Sequence, residues 1–463
     1  MPAAIAPIAA LLLGASILLL GNGLQSLLLP VRATLEAFST QSIGLMGAAY
    51  PAGFALSCLT TPHIVKRVGH IRTFAVLAAI AGTTVLAYAT FVVPLVWIGL
   101  RVVSGFCFAG LFMVIESWLN EAAQNTNRGQ IFSTYMVIQL ASVTFGQILI
   151  MTADPGEFHL FALAAAAIIL GLVPVGLTTS VGPPPIERVR LRLARLYRLS
   201  PVGVLGCFFV GMANGAFGSL GPVFASAAGL SVVEIALFMS AALVGGTIAQ
   251  VPLGRLSDRI DRRRVIGAVC LLAMAVGVVM MLAADARSGG GLLPIQLVID
   301  PLPHGSLIGL ALLFGASVYP LYGLCTAHTN DFVGRTEFVE TSSGLLLTWG
   351  LGATIGPILA AALMERAGIG GLFLFTATVH LVFAVFTVWR MTRRAAPPAD
   401  AKDDFVISSA AARPTPVAAR LDPRGWGPEP DPPPADDAAA PPSGQPRAQP
   451  SWSASTAPRD AMK

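Results

Sequence analysis

Apolar residues in this chain do not alternate with polar ones. They run together in stretches of about 20 residues, the length that crosses the hydrocarbon core of a bilayer. Such runs recur through the first 390 residues, broken by short charged connections. The pattern predicts helices near residues 5–29, 41–64, 73–92, 95–119, 130–152 and 158–181, then near 201–225, 232–253, 265–284, 306–328, 342–364 and 369–391. Local signals mark two starts: Ser200 before Pro201 suits an N-cap with proline in the first turn, and Ser231 with Glu234 spells a capping box.

Composition agrees with this reading. The chain is 55% hydrophobic and 11% charged, whereas soluble domains carry about 25% charged residues. No Lys or Arg precedes the first run, and it is longer than the apolar region of a secretory signal, so it is expected to be a retained helix. Cys58, Cys107, Cys207, Cys270 and Cys325 all lie inside apolar runs without a CxxC pair, which favours apolar filler over disulfide or metal roles.

Charge sets the expected orientation, because positively charged loops stay cytoplasmic. Alternate connections hold Lys66, Arg67 and Arg72; Arg128; Arg188, Arg190, Arg192, Arg195 and Arg198; Arg255, Arg259, Arg262, Arg263 and Arg264; Arg335; and Arg390, Arg393 and Arg394. The opposite connections hold only Arg32, Arg287 and Arg366, together with acids such as Asp154, Glu157 and Asp300. Both termini are therefore expected in the cytoplasm of a bacterial cell, with the chain in the inner membrane. The pI of 9.1 follows from this bias and is no argument for nucleic-acid binding.

The chain also repeats itself. Thr144-Phe145-Gly146-Gln147-Ile148-Leu149 recurs as Thr354-Ile355-Gly356-Pro357-Ile358-Leu359. Likewise Val65-Lys66-Arg67-Val68-Gly69-His70-Ile71-Arg72 has a counterpart in Ser257-Asp258-Arg259-Ile260-Asp261-Arg262-Arg263-Arg264. A six-plus-six duplication explains both, and internal repeats characterise transporters whose substrate site lies between the repeats. The expected organisation is a first bundle over 1–181, a linker over 182–200, a second bundle over 201–392 and a disordered tail over 393–463. The tail is rich in Pro, Ala, Asp and Gly and cannot bury enough apolar surface to fold. Within it, Asp403–Arg424 mixes apolar and charged residues in the manner of a docking motif, although disorder is the favoured reading.

The connection Gly254-Arg255-Leu256-Ser257-Asp258-Arg259-Ile260-Asp261-Arg262-Arg263 resembles the signature loop of the major facilitator superfamily. Arg101-x-x-x-Gly105 resembles that family's intramembrane arginine motif. Glu116-Ser117, Asn127-Arg128-Gly129, Tyr135-Met136, Gly146-Gln147, Tyr319-Pro320 and Gly352-x-x-x-Gly356-Pro357 are similar to the bacterial YcaD-like branch. The resemblance covers residues 1 to about 392. It implies an all-α membrane protein with twelve transmembrane helices in two pseudo-symmetric six-helix bundles, and a secondary carrier working by rocking of those bundles. It further implies a conformational latch built from Lys66, Arg67, Arg128, Gly254, Asp258, Arg259, Arg262 and Arg263. The first-half loop departs from the pattern, with Pro62 at the glycine position and Lys66 at the Asp position, so its part of the latch is expected to be weaker or differently wired.

An arginine inside a membrane helix costs about 2.5–3.5 kcal/mol to insert, so Arg101 should face the bundle interior unless it snorkels to the interface. Glu116 lies about 22 Å further along the same helix, too far to pair with it. Glu116 is a candidate proton-coupling carboxylate or a latch partner for Arg128 or the loop arginines. Asn22, Gln25, Tyr135, Gln139, Asn214, Tyr319 and Trp349 join Arg101 as candidates for a substrate cavity, and each reads equally well as interhelical glue. Gly105, Ala109, Gly352 and Gly356 read as close-packing residues. His63, His70 and His304 are placed in loops, and His380 in an apolar run, as filler or interface residues.

No phosphate loop, zinc-protease helix, nucleophile elbow or intramembrane aspartate pair occurs in the sequence, so neither an enzyme nor a cofactor is expected. The expected partners are a small organic solute, protons and the lipid bilayer, with the chain acting as a monomer. A non-transporting sensor or scaffold working through the tail is the alternative.

Overall fold

With no water in the hydrocarbon core, a spanning segment must satisfy its own backbone hydrogen bonds, so each apolar run is driven into a helix. The computed structural model describes residues 8–123, 127–177, 192–288, 303–334 and 337–394, together with Phe405, Thr415 and Val417. The described residues contain 12 helical spans long and apolar enough to cross a membrane. The first half holds α1 (Ala9–Leu35), α2 (Thr40–Val68), α3 (His70–Thr90), α4 (Pro94–Ala122), α5 (Arg128–Ile148), which a 3-10 turn (Leu149–Thr152) extends, α6 (His159–Leu170) and α7 (Leu172–Gly176). A short helix, α8 (Leu193–Leu199), leads into α9 (Pro201–Ala227), α10 (Val232–Arg259), α11 (Arg262–Ser288), α12 (His304–Val318), α13 (Pro320–Asn330), α14 (Phe338–Ala367) and α15 (Gly371–Arg393). The pairs α6/α7 and α12/α13 each make one span, and Tyr319-Pro320 marks the division in the second.

Both local start signals operate. Ser200 caps α9 through the amide of Gly203, and Ser231 with Glu234 forms the complete capping box of α10. Three histidines expected in loops are helical instead: His63 lies in α2, His70 opens α3 and His304 opens α12. For His70 and His304 the helix starts before the apolar run, because polar residues at the membrane surface continue the hydrogen-bond ladder, whereas His63 lies inside the run predicted over 41–64. Arg188, Arg190, Asp300, Arg335 and most of the linker and tail lie outside the described residues. The described part of the linker is residues 192–200, where Arg192, just ahead of α8, pairs with Glu340 of α14, and Arg195 of α8 pairs with Glu337, just ahead of α14.

The two halves repeat their packing as well as their sequence. Gly146 brings α5 against α1, where a Cβ would stand 2.2 Å from the Leu20 carbonyl oxygen, and Gly356 brings α14 against α9, where a Cβ would stand 2.1 Å from that of Met212. In the same way Gly105 seats α4 on Tyr50 of α2, and Gly315 seats α12 on Ala242 of α10. Where lipid offers no hydrophobic drive between helices, such close approaches hold them together. Val137, Ile248 and Val385 are exposed, as suits side chains whose solvent is lipid.

Counted along the described spans, Lys66, Arg67, Arg72, Arg128, Arg192, Arg195, Arg198, Arg255, Arg259, Arg262, Arg263, Arg264, Arg390, Arg393 and Arg394 fall at one set of helix ends, here called the basic face. The halves meet directly at the other end. Gly44 packs on Pro357 and Ala361, Gly47 packs on Ser219, and the Gln41 amide donates to Glu365 at 2.9 Å.

Candidate functional site

The fourth span carries the two costly charges, and the structure gives them separate surroundings. Arg101 is half-buried and turns toward α2, with Nε donating to the Met46 carbonyl at 3.4 Å and the guanidinium 4.7 Å from the centre of the Tyr50 ring. Gln25 is buried and donates to Ser104 of α4 at 3.2 Å, and the Tyr88 hydroxyl joins the same serine at 3.2 Å. Gln25 thereby ties α1 to α4 through its amide nitrogen, while its buried amide oxygen has no hydrogen-bond partner among the described residues. Asn22, one turn earlier on α1, is buried beside it in sequence.

Glu116 lies toward the basic face and is wholly buried. The Tyr135 hydroxyl of α5 donates to it at 3.4 Å, which joins two of the sequence-predicted residues, and Gln139 follows one turn along α5, also wholly buried. Further donors come from the tail. The Thr415 amide donates to both carboxylate oxygens at 3.2 Å, and the Thr415 hydroxyl bonds the second of them. One helical turn on, Asn120 donates to the Val417 carbonyl at 2.9 Å. Thr415 and Val417, which fall in the stretch expected to be disordered, are buried.

In the second half, Asn214 of α9 is buried and Trp349 of α14 half-buried. The Asn214 amide and the Trp349 indole N–H have no hydrogen-bond partner among the described residues, and buried polar groups left in that state call for a ligand, a water or a role in motion. Trp349 meets Tyr322 edge-on at 6.4 Å, and Tyr319 packs on Gly246 of α10.

The signature-like loop forms a charge network within the second half. Arg262 is 1% exposed; its Nη1 donates to Asp258 at 2.7 Å and to Ser257 at 2.8 Å, and its Nε to Asp331 at 2.9 Å. Arg263 grips Asp261 at 2.8 Å and the Arg394 carbonyl at 2.7 Å. Burial pushes the Asp261 carboxyl up, but the hydrogen bonds and charge of Arg263 outweigh that and hold it below its ordinary value. Gly254 does not seat a neighbouring helix; the Phe405 ring of the tail lies there, 2.1 Å from where a Cβ would stand. Lys66, Arg67 and Arg259 are exposed. Arg128 opens α5, and its side chain lies outside the described residues.

Reading the sequence alone missed Asp331, Ser104 and Tyr88, and gave the stretch Asp403–Arg424, which holds Phe405, Thr415 and Val417, a docking role only as the less favoured reading. Asp331 was findable, being an acid at the end of an apolar run, where a charge needs a partner. Nothing in the composition of the tail distinguishes Thr415.

Comparison with known proteins agrees with this architecture. The chain is 24% identical over 379 residues to an uncharacterized MFS-type transporter, YcaD, of Escherichia fergusonii, covering 81% of this chain and 94% of that one, and matches the Salmonella arizonae protein of the same name to the same extent. Among solved structures, the nucleoside transporter NupG superposes with a TM-score of 0.68 at 12% identity, over 84% of this chain and 99% of that one. A bacterial homolog of the human lysosomal transporter Spinster, in an inward-facing and occupied conformation, superposes at 0.67 with 15% identity, over 86% and 100%. The profile of the Major Facilitator Superfamily matches residues 11–300 and 203–428, so the chain, a multi-pass membrane protein and not an enzyme, belongs to that superfamily of transporters.

Proposed function

We propose that this transporter is a proton-coupled secondary carrier of a small organic solute in the bacterial inner membrane, acting as a monomer by alternating access between its two halves. The observation that carries the reading is the buried carboxylate of Glu116, held by Tyr135 of α5, the helix of the first half that packs on α10 of the second. A carboxylate in such a place can take up and release a proton as its surroundings change from dry to wet. The strong excess of arginine on one face supports a cytoplasmic location for that face and for both termini. With direct contact between the halves at the other face, the arrangement fits a carrier turned toward the cytoplasm. Asn214 and Trp349, with unmatched polar atoms, are the groups best suited to meet a solute, with Arg101, Tyr319, Asn22 and Gln139 as further candidates.

The test begins with a thermal-shift screen of purified protein against metabolites and drugs, followed by transport of the strongest hits in proteoliposomes. A proton-coupling role for Glu116 requires that Glu116→Gln abolish accumulation driven by a pH gradient while solute exchange between equal compartments persists. Unchanged accumulation would remove Glu116 from the coupling. A reporter fused at Lys463 should be active in the cytosol, and periplasmic activity would reverse the topology.

A further inference from the structure

We propose that the basic-face end of α15 is a binding site for an anionic phospholipid, in which Arg390 and Arg393 hold the phosphate and Trp389 sets the depth of the headgroup. The site begins with the outward face of the last helix. Leu381, Val382, Val385, Val388 and Trp389 recur at helical spacing and are all exposed, so the described protein leaves this stripe to the acyl chains of the bilayer. Trp389 ends the stripe, at the level where an indole meets the headgroups. Phe386 of the same helix lies 5.8 Å from its ring, and the guanidinium carbons of Arg390 and Arg393 each lie 5.7 Å from the ring centre. Two positive charges are thereby gathered on one aromatic ring, at the membrane surface and on the side of the molecule that faces lipid.

The neighbouring arginines are engaged within the protein, and these two are not. Arg394 lies over the Phe332 ring at 4.1 Å and donates to the Leu199 carbonyl at 2.9 Å, Arg263 pairs with Asp261, and Arg262 pairs with Asp258 and Asp331. Among the described residues, Arg390 and Arg393 have neither an acidic partner nor a hydrogen-bond acceptor for their side chains. A ring attracts a guanidinium but leaves its N–H donors unmatched. Two like charges held against the same ring also repel one another, and a phosphate diester accepting from both relieves that repulsion. Continuity with the stripe favours a phospholipid over a free anion. Arg393 lies one turn beyond Trp389, which itself lies one turn beyond Val385, so the charged group and the aliphatic residues share a face and suit a ligand with acyl chains as well as a negative headgroup. The site lies apart from Glu116 and from the residues proposed to meet solute, and it does not depend on proton coupling.

The experiment titrates the full chain, purified in detergent, with phosphatidylglycerol and with phosphatidylcholine of the same acyl chains, and reads bound lipid by native mass spectrometry. The parent should prefer phosphatidylglycerol. An arginine near an anionic headgroup is worth about fivefold in affinity, so Arg390→Gln/Arg393→Gln should lower that preference by about 25-fold. Arg264→Gln, which removes an exposed arginine elsewhere on the basic face, should leave it unchanged. Quenching then locates the lipid: phosphatidylglycerol brominated on its acyl chains should dim Trp389, read as the difference between the parent and Trp389→Phe, more than brominated phosphatidylcholine does. No preference in the parent overturns the site. A preference that survives in the double variant, or that Arg264→Gln removes to the same extent, overturns it as well, since net charge alone would then be attracting the lipid. Displacement of the bound lipid by inorganic phosphate at constant ionic strength would reveal a site for a soluble anion and would equally overturn the proposal. If the double variant does not fold, the quenching comparison decides, and equal quenching by the two lipids overturns the site. Failure of every solute in the transport screen would count against the carrier reading alone and would leave the lipid titrations interpretable.

Discussion

The two basic-face loops descend from one repeat and have been given opposite chemistry. In the second half, Arg262 opens α11 and sits buried between Asp258 and Asp331 at 2.7 and 2.9 Å. At the matching place in the first half, His70 opens α3, also buried, and contacts the Ser117 hydroxyl at 3.1 Å with the Trp118 ring stacked at 6.2 Å. Lys66 stands where Asp258 does and is exposed. The backbone solution is therefore shared, a helix turning into the next at the membrane surface, while one copy is closed by an ion network and the other by a hydrogen bond and a ring. Gly69, with φ of 88°, makes the first-half turn without a side chain, whereas Asp261 makes the second and recruits Arg263. The difference shows that the charge pattern of the signature loop is not required to form the turn. What the pattern adds is a tie from the turn to Asp331 at the end of α13 and, through Asp258 and the Phe405 amide, to the tail.

Substitutions at matched positions put that contrast to the test. Arg262→Met removes the buried charge that Asp258 and Asp331 share and should destabilise the chain by about 3–5 kcal/mol. His70→Met removes one neutral hydrogen bond and should cost about 1 kcal/mol. Thermal unfolding of the purified variants in one detergent measures both, and equal losses would mean that the ion network contributes no more than the histidine contact. Asp258→Asn should fall between them, near 1.5 kcal/mol, because Arg262 keeps Asp331. It should slow transport at matched membrane abundance through the loop and the seat of Phe405, without touching solute. Lys66→Ala, at the equivalent exposed site, should stay within about 0.5 kcal/mol, and a larger loss would reveal a partner for it.

The smallest effect concerns pH. Asp261 has a folded-state value lowered below its ordinary 3.8, so its stabilising contribution is present above that pH and is lost as the pH falls through the folded value. Below pH 3.8 the parent should therefore lose stability more steeply than Asp261→Asn. Parallel curves would show that the Arg263 contact gains nothing from the charge of Asp261.

Much of this molecule can be read from the order of its residues. Twelve apolar runs become twelve spans, because lipid leaves the backbone no alternative to a helix, and the glycines of the repeat become helix crossings because a missing Cβ acts at short range. The capping residues act within one turn, and they too are legible. The roles of the polar residues were not legible to the same degree, because a buried amide or carboxylate is defined by whatever stands opposite it. Gln25 and Asn214 look alike in sequence, yet Gln25 finds Ser104 while Asn214 finds no partner among the described residues. Glu116 could be recognised as expensive, but that Thr415, 299 positions away, would supply its donors depends on the route of the chain across the basic face. The hydrophobic pattern determined which segments enter the membrane, through a force that needs only composition and length. Which charges meet was decided by tertiary packing alone, because an ion pair or a hydrogen bond depends on distances of a few ångströms between residues that the sequence keeps far apart.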